Sequence, residues 1–401
     1  MRAPISHDSR LATGGVLGLL TLLWLAGAAI RVPILDIPPV VPLIRDAFRM
    51  SETEVGLLSG LPLGMFALMA VPGSYLVARL GAVRTVVVGL LITAIASSAR
   101  GAAPEVLSLY ALTVLLGFGI AIVQPALPRL VREWLPDRIG LGTAVTTNGF
   151  LMGSTLATGL SLPLIMPLVG NSWRLDLAVW GIPVLVALVA MAAFAPRSQA
   201  APRDTVPSVA DWLPDWKSPL VWMLGLTLGS NTAVFFGVNA FIPEHLHAIG
   251  RDDLVSETLF WVNASQLLAS FLLLAVADRL QRRAWSYTLF GPVSMLGVLG
   301  IMFGEGYWIV AAAALIGFGC AITFVVTLAQ PPVLAPAHDI HRVAAGMFTI
   351  AYTFGILLPV VSGAAWDLTG VSQMAFVPFL IGLVALSVFG ALLMRFPAVG
   401  R

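Results

Sequence analysis

Long apolar runs separated by short polar breaks dominate the chain. Twelve runs predict membrane spans at roughly 11–44, 54–78, 82–100, 104–131, 139–169, 173–195, 218–248, 255–277, 284–303, 306–335, 343–365 and 371–395. Helical rise is about 1.5 Å per residue, so twenty residues cross a hydrocarbon core of roughly 30 Å. The predicted class is an all-α membrane protein of twelve transmembrane helices in two pseudo-symmetric six-helix bundles.

One charge interrupts the first run near its middle. From Leu11 to Ile44 the only ionisable residues are Arg31 and Asp36. A guanidinium does not shed its proton, so at membrane depth it must face water or find anionic partners. Pro33, Pro38 and Pro39 follow closely and distort the helix just beyond it. A broken helix beside a midplane charge is one way to build a small-solute site.

Composition agrees with a membrane protein. The chain of 401 residues is 58% hydrophobic and 10% charged, against about a quarter charged in soluble domains. Its net charge of +2 comes without a basic face or an aromatic-interleaved basic run, which excludes nucleic acid as partner. A single cysteine, Cys320, excludes an intrachain disulfide and a cysteine metal cluster. No phosphate-cradling glycine loop is present, so ATP driving is not expected, and no cofactor is predicted. Arg2, Arg10 and the apolar segment from Leu11 imitate a signal peptide. The run continues past the small residues at 26–28, so it reads as an uncleaved first span.

With both termini cytoplasmic, about 16 Lys and Arg residues fall inside and 5 outside, Arg31 left aside. The outer five are Arg45, Arg49, Arg100, Arg174 and Arg251. The expected location is a bacterial-type cytoplasmic membrane, multi-pass. Five prolines between 196 and 219 mark a linker, giving bundles at 1–196 and 218–401 joined by 197–217. The halves repeat: Gly117-Phe118-Gly119-Ile120-Ala121-Ile122 recurs as Gly317-Phe318-Gly319-Cys320-Ala321-Ile322, and Arg79-Leu80 as Arg279-Leu280 at the same offset.

These features resemble the major facilitator superfamily over essentially the whole length. Ser74-Tyr75-Leu76-Val77-Ala78-Arg79-Leu80-Gly81-Ala82-Val83-Arg84 is similar to the family's cytoplasmic Gly-x-x-x-Asp-Arg-x-Gly-Arg motif, with Ser74 for the glycine and Ala78 for the aspartate. The second copy keeps Asp278-Arg279 but has Gln281 for the glycine. The resemblance implies a cytoplasmic charge latch using Asp278 more readily than the first-half position, with Arg79 and Arg279 as gating candidates. Arg31 before a proline, Leu127-Pro128-Arg129-Leu130-Val131-Arg132, Trp173-Arg174 and Asn231 through Pro243 resemble the cyanate and nitroimidazole permease branch. That branch implies small anions or small polar heterocycles as solutes.

Polar residues at helical spacing supply candidate neighbours for a solute held by Arg31: Gln124, Asn148, Asn231, Phe235, Asn239, Gln266 and Tyr352. The competing reading makes such amides glue between helices, at about 0.6 kcal/mol each. For Arg31 the competing reading is an ion pair with Asp36. Five residues place the two about 140° apart around a straight helix, which disfavours it. Asp36, the one membrane-buried acid visible, is a candidate for proton coupling, for orienting Arg31, or a satisfied residue near the outer end. Arg129 either guards the cytoplasmic mouth or snorkels to headgroups. His245, His247, His338 and His341 read as solvated loop residues, and no metal site is predicted. The expectation is a monomeric secondary transporter with a small-molecule solute, the lipid bilayer and a proton among its partners, and no catalytic residues. Multidrug or metabolite efflux is the alternative. An intramembrane enzyme lacks nucleophile–base pairs at depth, and a passive channel is disfavoured by the duplication.

Overall fold

The computed structural model describes residues 13–196, 213–280, 283–336 and 339–397, and all regular elements there are helical. Eleven helical segments among them are long and apolar enough to cross a bilayer. A further helix, Val255–Leu280, occupies the position read as span 8. The linker between the halves lies largely outside the described residues.

Several spans are broken where the sequence forces it. Span 1 (Gly15–Phe48) consists of helices Thr13–Leu35 and Ile37–Phe48, parted at Asp36. Pro38 and Pro39 sit at the start of the second helix, where a missing N–H costs nothing. The span runs on to Phe48, beyond the boundary near 44, so Arg45 belongs to its last turn and not to a loop. Span 4 (Val106–Trp134) breaks at Gln124-Pro125, and span 10 (Tyr307–Leu334) breaks at Ala329-Gln330 before Pro331. Span 5 (Pro136–Leu168) carries a π-helical turn over Ser161–Ile165, a wide turn often found at functional positions.

Span 2 (helix Glu52–Leu80) packs against span 11 (helix Ile340–Thr369), joining an early span to a late one. Glycine makes the approach possible. A Cβ on Gly56 would run into the Pro359 carbonyl, and one on Gly363 into the Glu52 carbonyl. Both lie toward the end of the molecule that holds Arg45. At that end Asp367 of span 11 accepts from the backbone N–H groups of Glu52 (2.9 Å) and Thr53 (2.8 Å). It thereby satisfies two of the orphan donors of the span 2 helix and adds negative charge at its positive end.

Two further cross-links sit at the same end. Gly159 of span 5 lies against Phe260 of span 8, and the Ser256 hydroxyl donates to the Gly159 carbonyl (3.4 Å). Arg45 reaches Glu244 of span 7 (Pro219–Ala248) at 2.6 Å, and Glu52 at 2.8 Å.

Candidate functional site

The first helix of span 1 carries Arg31 into the interior, where it keeps part of its surface accessible. Among the described residues it has no ion pair and no hydrogen bond. Asp36 is turned away: its carboxylate meets Arg100 of span 3 (Ala82–Arg100) at 2.7 Å, with both residues fully buried. This corrects two expectations at once. Asp36 neither pairs with nor orients Arg31, and Arg100 is a core residue, not an outer-loop one.

The groups against Arg31 are aromatic. Its guanidinium carbon lies over the Phe150 ring of span 5 at 5.7 Å and over the Phe236 ring of span 7 at 5.4 Å. Such contacts favour a cation without neutralising it. Tyr352 of span 11 is within electrostatic reach. Its hydroxyl oxygen accepts from Gln124 Nε2 at 2.9 Å, a bond from the break in span 4 to a late span. With its oxygen accepting from Gln124, the Tyr352 O–H remains free to donate. Tyr352 is fixed by Phe348, stacked at 5.8 Å, and by Phe66, edge-on at 5.2 Å.

Arg31 and the bonded pair Gln124–Tyr352 are thus within electrostatic reach of one another, and three of the remaining amide candidates bond elsewhere. Asn148 accepts from Trp24 Nε1 at 2.9 Å. Asn231 donates to the Cys320 carbonyl at 2.9 Å and to Thr323, tying span 7 to span 10. Asn239 donates to the Phe235 carbonyl and accepts from Asn263 of span 8 at 2.9 Å. These amides hold helices to one another. Phe235 is buried edge-on against Phe236, at 5.1 Å between centroids. Gln266 is buried with its Nε2 unpartnered.

Arg129 bonds to Glu133 one turn on (2.7 Å) and to the Val77 carbonyl of span 2 (3.1 Å). Arg79 is exposed and lies over the Tyr75 ring. The side chains of Asp278, Arg279 and His341, and all of His338, lie outside the described residues. His247 is exposed and meets Asp252 at 2.8 Å. His245 is not the solvated loop residue expected: it is buried, between Ser372 Oγ (2.8 Å) and the Ile301 carbonyl (3.2 Å).

Sequence reasoning missed Phe150, and placed Phe236 in the span 7 resemblance without marking it as a site residue. It also missed three buried acids besides Asp36. Asp176 has no exposed surface and contacts Ser161 of the π-helical turn at 3.3 Å, where Trp180 Nε1 also donates (2.7 Å). Glu52 and Glu244 share Arg45. A small cavity beside the break in span 1 is lined by Pro33, Pro38, Ser59, Arg100 and Phe236 among others. Phe236 thus borders that cavity and also contacts Arg31.

With the fold and these contacts in place, comparison with known proteins gives the family. The profile of the Major Facilitator Superfamily matches residues 17–359. The chain belongs to this superfamily. It is similar to the cyanate transport protein of Escherichia coli K12, 25% identical over 348 residues, covering 87% of this chain and 88% of that one. It is also similar to the 2-nitroimidazole transporter of the same organism, 24% identical over 379 residues, covering 93% and 94%. A bacterial homolog of the human lysosomal transporter Spinster, solved inward-facing and occupied, superposes with a TM-score of 0.73 at 13% identity. The match covers 96% of this chain and 98% of that one. The protein is a multi-pass membrane transporter and not an enzyme, and its partner class is a small-molecule solute.

Proposed function

We propose that this transporter moves a small anionic or polar solute, cyanate-, nitro- or carboxylate-like, with Arg31 as its anchor. The supporting observation is a guanidinium at membrane depth, partly accessible, flanked by rings and without a protein carboxylate within ion-pair distance among the described residues. Its planar donor fork suits a flat anion acceptor. Gln124 and Tyr352 complete the polar contacts, and the free phenol hydrogen offers a second donor.

Residues 1–196 and 218–401 act as two bundles that rock about this site, with 197–217 as the connection. Both termini face the cytoplasm of a bacterial-type cell, so the Arg45 end faces outward. The crossings gathered there support a state closed to the outside. Proton coupling is part of the proposal, with Asp36, Asp176 and Glu244 as buried acids able to carry it. Efflux of hydrophobic cations is less favoured. It needs a carboxylate beside the solute, whereas Asp36, Glu52 and Glu244 each face an arginine and Asp176 meets Ser161 of the π-helical turn.

Reconstituted protein tests the reading. Counterflow of labelled cyanate or of a small carboxylate in proteoliposomes is expected to fall about tenfold to a hundredfold in Arg31→Gln, the loss of a hydrogen-bonded charge. Counterflow at the wild-type rate in that variant would remove the arginine from the solute path.

A further inference from the structure

We infer that Phe150 and Phe236 make the Arg31 site a slot for flat anions, linear or planar, and turn away tetrahedral oxyanions. The inference rests on the anion reading above and adds the shape of the solute and the two residues that select it.

Arg31 ends in a planar guanidinium. Its five N–H donors lie in one plane, so an acceptor binds best at the edge and in that plane. The guanidinium carbon sits over both rings, at 5.7 and 5.4 Å from their centroids. An aromatic face carries the negative lobe of the ring quadrupole. That charge attracts the cation and repels an anion's oxygens. Cyanate, nitrate, a nitro group or a carboxylate can keep all its charged atoms in the guanidinium plane. Sulfate or phosphate cannot: with two oxygens on the fork, the other two stand out of that plane, where the inferred slot would set them against the negative ring faces. Charge alone would favour the divalent anion, so the aromatic walls are what reverse the order.

The two rings come from different parts of the chain. Phe150 is on span 5 and Phe236 on span 7, which also carries Glu244 to Arg45. The slot is therefore complete only while those spans are brought together. A neighbouring contact holds one ring in place: Phe236 is buried against Phe235 edge-on, at 5.1 Å between centroids. Tyr352 offers its free O–H from a third span and is held by Gln124.

The experiment is a binding panel on the purified full-length protein in detergent. The flat probes are cyanate, nitrate and formate, and the tetrahedral probes are sulfate and phosphate. Wild type is expected to prefer the flat set by about tenfold or more. Phe236→Leu and Phe150→Leu should each narrow the preference severalfold, chiefly by admitting the tetrahedral anions. Phe236→Trp, which retains a π face, should keep it. Arg31→Gln should weaken binding of every anion. If Arg31→Gln lowers all affinities while both leucine variants leave the ratio unchanged, the slot is wrong and the anchor stands. If Arg31→Gln changes nothing, the anion reading itself fails. Sulfate binding to wild type as tightly as cyanate would overturn the inference directly, and so would a wild type that binds none of the flat probes.

Discussion

Removing Arg100 is expected to cost about 3–5 kcal/mol, because it leaves Asp36 buried without its counter-ion. Both side chains are fully buried, and they meet at 2.7 Å between spans 3 and 1. The pair also holds the break between the two helices of span 1, five residues beyond Arg31. Arg100→Leu should lower the thermal midpoint in detergent by roughly 5 °C. The reciprocal change is expected to be worse. A stranded carboxylate can be neutralised by taking up a proton, whereas a stranded guanidinium keeps its charge. Asp36→Asn should therefore unfold at a lower temperature than Arg100→Leu. The double variant Asp36→Leu/Arg100→Leu should recover much of the loss, since two apolar groups leave no charge uncompensated. A double variant as unstable as the sum of the singles would contradict the pairing.

The second large effect concerns the outer closure. Arg45 is the cation held between Glu52, on span 2, and Glu244, on span 7. Arg45→Ala leaves two carboxylates facing each other, Glu244 among them with no exposed surface. The closed arrangement then carries uncompensated negative charge, and opening toward water relieves it. A reporter at Ser59, which lines the small cavity beneath this closure, reads the change. In a Ser59→Cys background a membrane-impermeant maleimide added outside should react at least about tenfold faster after Arg45→Ala. That needs only about 1.4 kcal/mol of the lost interaction. Native Cys320 is buried and contributes little background. Asp367→Asn, which weakens the cap on span 2, should act in the same direction by a smaller factor. Unchanged labelling in Arg45→Ala would mean that this cluster does not hold the outside closed.

What could be read from the sequence follows from which interactions are local. Arg31 was legible because a charge in a long uncharged run has few places to go. The break near Asp36 was legible because Pro38 and Pro39 suit only the first turn of a helix. The superfamily fold followed from span count, repeats and loop motifs. The partner of Asp36 was not legible. Arg100 stands at the end of its span, where hydropathy alone assigns it to a loop, and only the register of span 3 against span 1 brings it inside. Glu244 and His245 escaped for the same reason, being near the end of span 7 yet covered by neighbouring spans. Period located one polar face on span 7, holding Asn231 and Asn239, without saying which way it turns. In the structure those amides meet spans 10 and 8. Phe150 carried no signal and Phe236 stood only inside the span 7 stretch that resembles the permease branch, since an apolar ring in an apolar helix looks like core until a guanidinium lies over it.

Everything proposed for transport depends on Arg31 being an accessible, uncompensated cation on the solute path. Modification of the native protein with phenylglyoxal, mapped by mass spectrometry, tests it most directly. Arg31 is expected to react, cyanate to slow its reaction, and Arg100, sealed against Asp36, to stay unmodified. Loop arginines that react while Arg31 does not, with or without cyanate, would contradict it.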